Sequence, residues 1–142
     1  MSLDIYFLTI EDVVRAHRRV MLRLGEPPES LVAPERLEGA LGRVPFASHY
    51  RQSSLVELAA LTSIAISQAQ SFADGNKRTA EAALHIFLRL NGYRFTGNWM
   101  QVALFLEINA FLSEVPNRGD EPREKGLQAF ALWLETAIVA RD

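Results

Sequence analysis

Residues 77–91 limit the possible folds most, because this stretch is apolar on nearly every side of a helix. A helix of that kind needs neighbours all round it. Asn91 and Gly92 follow, a pair that is typical of a helix end. We therefore expect a helical bundle in which this helix is the most buried one. Its apolar residues are Ala80, Ala82, Ala83, Leu84, Ile86, Phe87, Leu88 and Leu90.

Apolar residues at helical spacing predict further helices on both sides of this one. Thr9 and Asp12 resemble a capping box at the start of the first helix, and Gly25 is a natural stop. His17 is expected to pack or hydrogen-bond within that helix. Its arginines fall mostly on the other side, as a solvated face or a docking surface for an acidic partner: Arg15, Arg18, Arg19 and Arg23. The predicted helices cover residues 9–24, 34–43, 54–69, 77–91, 99–112 and 123–140.

Residues 44–51 lack a helical period and mix aromatic residues with turn residues. This pattern favours an extended flap or a small β-hairpin between two helices. The flap would carry Phe46 and His49. The fold class predicted for residues 1–142 is therefore a single all-α domain with a possible small hairpin.

Composition excludes several classes of protein. The 142 residues suit one domain, and the absence of cysteine excludes disulfides, a thiolate nucleophile and a Cys-ligated zinc site. A net charge of −2 gives no electrostatic footprint for general nucleic-acid binding. No apolar run approaches the ~18 residues of a membrane span. We expect a cytoplasmic protein that binds neither membranes nor nucleic acid directly.

The segment from Asp74 to Thr79 has the composition of an anion-binding loop. Lys77 and Arg78 would lie in the first turn of the next helix, where the helix dipole disfavours cations. Their presence makes sense if an anion docks there, because backbone N–H groups and both cations would then face it. Gly75 allows close backbone approach. Asp74 is suited to anchor magnesium beside a phosphate. The alternative is a solvated, capped loop.

The wider pattern resembles the Fic/Doc family, specifically its Doc (death-on-curing) branch. The family signature is His-x-Phe-x-Asp-Gly-Asn-Lys-Arg-Thr, and this chain departs from it at the first position, Gln70. The Fic branch would have Gly in place of Lys77 and a second Arg in place of Glu81. The opening residues 7–13 and residues 88–93 are also similar to the family. The matching motif residues are Phe72, Asp74, Gly75, Asn76, Lys77, Arg78 and Thr79.

The resemblance implies a Fic-type fold and transfer of a phosphoryl or nucleotidyl group to a protein hydroxyl. An ATP-like nucleotide and Mg²⁺ are the implied cofactors, with Asp74 as the metal ligand. The motif residues from Gly75 to Arg78 would cradle phosphates, and Phe72 would anchor the loop. Phe46 and His49 would position the target, which in the Doc branch is a translation factor. Restraint would come from a separate antitoxin chain.

Gln70 stands where the family has the histidine that takes the proton from the target hydroxyl. A neutral amide has no titratable group, so it cannot act as a base. Loss of a general base typically costs about 10²–10⁴ in rate. Three hypotheses stay open: an active transferase with an altered base, for which His49 is a candidate; a lapsed module that binds nucleotide or antitoxin; and a structural domain whose loop merely resembles the motif.

Overall fold

Six α-helices make up most of the computed structural model, which describes residues 4–28, 31–116 and 119–141. This result confirms the all-α class. Two short strands, β1 (Tyr93–Phe95) and β2 (Ile138–Ala140), form an antiparallel pair in which Arg94 lies opposite Val139. The helices are α1 (Ile10–Arg23), α2 (Pro34–Tyr50), α3 (Leu55–Ala69), α4 (Asn76–Leu90), α5 (Trp99–Ser113) and α6 (Glu121–Glu135).

The centre of the bundle is α3, and the prediction that residues 77–91 form the most buried helix is wrong. Every residue from Leu58 to Ile66 is buried, and α3 packs against α2, α4, α5 and α6. Helices α3 and α4 differ in their charged residues. No charged residue occurs between Leu58 and Ala69, whereas α4 carries Lys77, Arg78, Glu81 and Arg89. These side chains require water, so one side of α4 stays open.

Two helices begin at capping boxes. Thr9 accepts the N–H of Asp12, and the Asp12 carboxylate accepts the N–H of Thr9, as the sequence predicts. Ser54 and Glu57 repeat this arrangement at the start of α3. Each box satisfies two backbone donors that the helix cannot satisfy itself. The boxes therefore fix where α1 and α3 begin.

The predicted flap over residues 44–51 does not exist, because α2 continues through Pro45 to Tyr50. Proline removes one backbone hydrogen bond from a helix interior. The buried face nevertheless persists across it, since Leu37, Ala40, Val44 and Ala47 follow helical spacing and lie in the core. Phe46 lies on the exposed side of this helix.

The last helix ends earlier than the predicted residue 140. After Glu135 the chain turns, and β2 pairs with β1 instead. Backbone bonds flank the strand pair, from Thr96 N–H to Ala137 O at 2.7 Å and from Arg141 N–H to Gly92 O at 2.8 Å. The chain's small sheet thus joins distant segments and lies outside residues 44–51. No helix in the described ranges is long and apolar enough to cross a bilayer.

The central position of α3 predicts a large difference between two leucines. Leu58→Ala removes a fully buried side chain and should lower the free energy of unfolding by about 2–5 kcal/mol. Leu132→Ala, on the exposed side of α6, should change it by no more than about 0.5 kcal/mol. Urea unfolding followed by circular dichroism measures both. Equal effects would contradict the central placement of α3.

Candidate anion-binding site

The connection from α3 to α4 lies between two residues with left-handed backbone. Gln70 has φ +50° and Gly75 has φ +79°. A Cβ on Gly75 would lie 2.8 Å from the Sδ of Met21, so both backbone conformation and space require glycine there. The two reversals turn the chain sharply and direct residues 71–74 between α1 and the start of α4.

Phe72 and His17 fasten this loop to α1. Phe72 is buried, and its ring stacks on the His17 imidazole with centroids 3.8 Å apart and planes 6° apart. His17 Nε2 lies 2.9 Å from the carbonyl oxygen of Asp74. Because a carbonyl only accepts, Nε2 carries the proton. The sequence predicts that His17 packs or hydrogen-bonds within the first helix. His17 is packed in the core, but its polar partner belongs to the loop.

Asn76 holds the loop from the other side. Its Oδ1 accepts the N–H of Phe72 at 3.0 Å, and its Nδ2 donates to the Phe72 carbonyl at 2.7 Å. Both groups of the side-chain amide are therefore engaged inside the protein. Only the backbone N–H of Asn76 is left to face a phosphate. The predicted contact of Asn76 with phosphate would therefore have to come from its main chain.

The segment before α2 completes the support of the loop. The carbonyl of Ser71 accepts the N–H groups of Val32 and Ala33 at 2.9 and 3.1 Å. Arg36 donates to the carbonyl of Gln70 at 3.4 Å. None of these bonds uses the side chain of residue 70. The shape of the loop is therefore fixed independently of that side chain.

The side chain of Gln70 bonds back to the end of α3. Its Nε2 donates to the carbonyl of Ser67 at 3.0 Å, one of the carbonyls that a helix end leaves without a partner. The residue itself is exposed. Gln is an uncommon choice for a left-handed position, whereas Asn, Asp and His are enriched there. The geometry thus suits the histidine of the family motif at least as well as it suits Gln70.

Asp74 is exposed at the rim of the loop, and its Oδ1 accepts the N–H of Gly75 at 2.8 Å. Within the described ranges, no three His, Cys, Asp or Glu residues are grouped to hold a metal ion. A cage built by the protein alone is therefore absent from that part of the chain. A single carboxylate beside a phosphate site matches Mg²⁺, which usually takes one or two carboxylates together with substrate phosphates and water.

The two motif cations point in different directions from α4. Lys77 forms an ion pair with Glu107 on α5. Arg78 lines a groove between α1 and α4. The side chains thus do not converge over the start of α4 in this conformation. Sequence reasoning missed Glu107, which lies thirty residues away with no local pattern linking it to Lys77.

The groove beside Arg78 has a volume of about 550 Å³. Burial raises the pKa of Glu81, and the nearby Arg78 and Lys77 oppose that shift. Burial also lowers the pKa of His85, and Arg89 adds to the effect. Arg19 and Arg23 are four residues apart, so the sequence indicated that they form a basic surface on one side of α1. It did not indicate that this surface lies beside Arg78. The groove is lined by Ala16, Arg19, Val20, Arg23, Leu24, Arg78, Glu81, Ala82, His85, Ile86 and Trp99.

Phe46 and His49 do not form a flap over the loop. Phe46 lines a separate groove of about 500 Å³, together with Ile64 of α3 and Leu127 of α6. His49 lies thirteen residues after Arg36 on the same helix, a separation of about 20 Å at 1.5 Å per residue. Arg36 is the α2 residue that contacts Gln70. The helix therefore carries His49 away from Gln70.

Comparison with known proteins gives one family match. A family model described as the Fic/DOC family matches residues 7–88, which include the loop and nearly all of α4. That match covers more than half of the chain. No curated protein matches it.

The Asn76 side chain predicts a measurable stability difference between two asparagines. Asn76→Ala leaves a buried N–H and a buried carbonyl of Phe72 without partners, at about 1–3 kcal/mol for each such group. Asn98→Ala removes one exposed N-cap bond, to Met100, and should cost about 1 kcal/mol. Denaturant unfolding of both variants compares the two losses. A smaller loss for Asn76→Ala would contradict its role in holding the loop.

Proposed function

The chain belongs to the Fic/DOC family, and we propose that it is a Doc-type enzyme that acts slowly because Gln70 replaces the base. It would transfer a phosphoryl or nucleotidyl group from an ATP-like nucleotide to a protein hydroxyl. The observation that carries this proposal is the start of α4. The first backbone bond of the helix runs from Thr79 N–H to Gly75 O at 2.9 Å. The N–H groups of residues 76–78 therefore have no acceptor within the helix and can donate hydrogen bonds to phosphate oxygens.

Asp74 would hold the magnesium ion of the nucleotide. Bound there, Mg²⁺ would neutralise negative charge on the phosphates. The exposed carboxylate, and its place next to the donors of the helix start, support this role. The backbone N–H groups would orient the phosphates, and the dipole of α4 would favour their charge.

Lys77 and Arg78 would turn toward the bound phosphates. The pair between Lys77 and Glu107 is exposed, and exposed pairs contribute only about 0–1 kcal/mol. A phosphate can therefore replace Glu107 as the partner of Lys77 at little cost. Arg78 is exposed as well, and its long side chain can reach from the groove to the start of its own helix. Both cations would then stabilise negative charge that develops during transfer.

The proposed reaction lacks a residue that accepts the proton of the target hydroxyl. The target oxygen forms a bond to phosphorus, the bond to the leaving oxygen of the nucleotide breaks, and the hydroxyl proton must leave. Gln70 cannot accept that proton, so it would pass to solvent water. Phosphoryl transfer depends mainly on positioning and charge stabilisation, so a rate reduced by roughly 10²–10⁴ is the expected consequence.

Lys77 and Glu81 support the Doc branch within the family. Glu81 stands where the Fic branch would have a second arginine, and it lines the same groove as Arg78. A carboxylate there would repel further phosphate groups instead of binding them. This composition suits plain phosphoryl transfer better than AMP transfer. By the same resemblance, the target would be a translation factor in the cytoplasm, and an antitoxin chain would provide restraint.

A second candidate is a module that binds nucleotide or an antitoxin without chemistry. The hydrogen bond from Gln70 to Ser67 O favours this candidate. That bond stabilises the end of α3, which is a structural role and requires no titration. The two candidates differ in one measurable result, namely whether the target becomes labelled.

Gln70→His should raise the labelling of target protein by roughly 10²–10⁴-fold, because it restores a group that titrates near neutral pH. The control is Gln70→Asn, which also suits the left-handed backbone but remains a neutral amide. It should stay at the wild-type level. The assay incubates each protein with Mg²⁺ and ATP labelled at the γ- or the α-phosphate, together with cell lysate.

The pattern of labelling distinguishes the candidates. Label from the γ-position alone indicates phosphorylation, and label from the α-position indicates AMP transfer. Wild type that labels as fast as Gln70→His would show that the base lies elsewhere. Nucleotide binding without labelling by either protein would favour the binding module.

Arg78→Ala should weaken the binding of Mg-ATP by roughly tenfold or more, since a hydrogen bond to a charged group contributes about 1.5–3 kcal/mol. Arg89→Ala, at the far end of the same helix, changes net charge equally and should leave affinity nearly unchanged. Isothermal titration calorimetry measures both. Equal affinities for Arg78→Ala and wild type would argue against an anion site at this helix start.

A further inference from the structure

The groove that Phe46 lines, between α2, α3 and α6, brings together arginines from three segments of the chain. Its volume of about 500 Å³ lies in the range of small-molecule sites. Arg43 belongs to α2, Arg51 follows that helix, and Arg123 belongs to α6. The groove shares no lining residue with the groove beside Arg78 or with residues 70–79. It is therefore a separate place in the molecule.

Arg43 is the arginine of this groove that lacks a partner. In the described ranges its guanidinium makes neither an ion pair nor a hydrogen bond, unlike those of Arg51 and Arg123. Arg43 is exposed as a residue, yet burial within the groove lowers the pKa of its guanidinium, and the charges of Arg123 and Arg51 add to the effect. A partly shielded cation beside like charges is destabilised. An anion bound next to Arg43 would remove that destabilisation.

The other two arginines have weak partners, which leave most of their donors available. Arg51 lies 3.5 Å from Glu124 and Arg123 lies 3.9 Å from Asp120, and all four side chains are more than half exposed. Exposed pairs of this kind contribute little to stability. Each guanidinium carries five N–H donors. Both arginines can therefore also donate to an anion that Arg43 holds.

The third carboxylate of the groove, Glu57, is committed to the start of α3. It accepts the N–H of Ser54 at 2.9 Å and the side-chain amide of Gln128 at 2.7 Å, and these two bonds lower the pKa of Glu57. The groove as a whole is neutral, since three arginines share it with three carboxylates. The charge left without a partner is that of Arg43. The groove therefore suits a ligand with one negative charge and not a polyanion.

An aromatic pair at the edge of the groove indicates what the rest of the ligand is. Phe46 is 55% exposed, and Tyr50, one turn later in α2, is 68% exposed. Their ring centroids lie 4.7 Å apart. Leu61 and Leu127 add apolar surface to the lining. Because aromatic rings stack on one another and pack on apolar side chains, a flat aromatic ring suits this part of the groove.

Gly42 leaves space for such a ring. It lies inside α2 on the wall of the groove, and a Cβ at this position would contact nothing. Glycine is less favourable than alanine inside a helix, so the fold alone does not require it. Gly42 precedes Phe46 by four residues, which places the two on the same side of the helix. Its missing side chain therefore keeps the surface beside that ring open.

We propose that this groove binds a small aromatic carboxylate. The carboxylate lies on Arg43 in the two-pronged geometry that guanidinium favours, within reach of Arg51 and Arg123. The ring packs on Phe46 in the space beside Gly42. The site does not depend on the proposed function, because it uses none of the residues of the loop.

The probe that tests the site is 2-naphthoate, titrated into the ¹⁵N-labelled full chain and followed by NMR. A dissociation constant of about 10 µM to 1 mM is expected for a ligand of this size. The amides of Gly42 and Ser53 should shift, whereas that of Gly75 at the start of α4 should not. 2-Naphthalenemethanol has the same ring without the charge. It should bind about tenfold more weakly or less, because it forms no charged hydrogen bond with Arg43.

Two pairs of variants separate charge from space. Arg43→Gln should weaken the binding of 2-naphthoate by about tenfold or more, whereas Arg18→Gln, an equal charge change on the exposed side of α1, should not. Gly42→Leu should also weaken it by about tenfold, because the side chain fills the space for the ring. Gly39→Leu is the matched control, since Gly39 is a glycine of α2 with equally open surroundings that does not line the groove. Thermal unfolding verifies that all four variants stay folded.

Three results would overturn the proposal. The first is the absence of saturable shifts up to about 10 mM ligand. The second is equal affinity for 2-naphthoate and the alcohol, which would indicate adhesion to apolar surface only. The third is a shift at Gly75 that Arg78→Ala abolishes and Arg43→Gln does not, which would place the anion at the start of α4 instead.

Discussion

The side-chain amide of Asn76 is the interaction on which the candidate site depends. It binds both backbone groups of Phe72 and so fixes the distance between the loop and the first turn of α4. Phe72 then lies against His17, whose Nε2–H reaches the carbonyl of Asp74. Three backbone groups of the loop, the N–H and carbonyl of Phe72 and the carbonyl of Asp74, are thereby satisfied by side chains of α4 and α1. A buried backbone group without a partner would cost about 1–3 kcal/mol, so the loop has little freedom to rearrange. The start of α4 consequently stays open with its N–H groups directed outward.

At the start of α4, each of the two cations has a carboxylate as a neighbour. On one side Lys77 pairs with Glu107, and on the other Arg78 shares a groove with Glu81. Each cation thus has a carboxylate nearby, which explains why two positive charges are tolerated at the positive end of a helix dipole. A phosphate would compete with those carboxylates. Because the Lys77 pair is solvent-exposed, this competition would favour a multiply charged anion that backbone donors also held.

Much of the fold follows from local sequence, while the errors concern packing between distant segments. The capping box at Thr9 and Asp12 and the asparagine after α4 are local signals, and they gave helix ends within one or two residues.

The order of burial is not local: α4 looked central because of its alanines and leucines, yet its charges line the groove and α3 takes the centre. Pro45 and the aromatic residues led to the wrong prediction of a flap, although the helical spacing of apolar residues continues to Ala47. Strand β2 is determined by pairing with β1, about forty-five residues earlier. The site loop was recognisable through its motif, whereas His17 and Glu107 reach it only through tertiary structure.

The backbone of residue 70 helps to shape the loop, whereas its side chain does not. Residue 70 belongs to the loop through its backbone, which takes the left-handed conformation and receives Arg36 at its carbonyl. Its side chain makes one bond, to Ser67 O, and supports nothing beyond the end of α3. A histidine fits the same backbone more readily than glutamine does. Replacement at this position therefore changes one exposed side chain, the proposed place of the proton acceptor, and leaves the loop, the helix start and the rim carboxylate of Asp74 in place. The proposed anion site and residue 70 are structurally independent, because the first is built from main chain held by Asn76 and His17 and the second contributes a single exposed side chain.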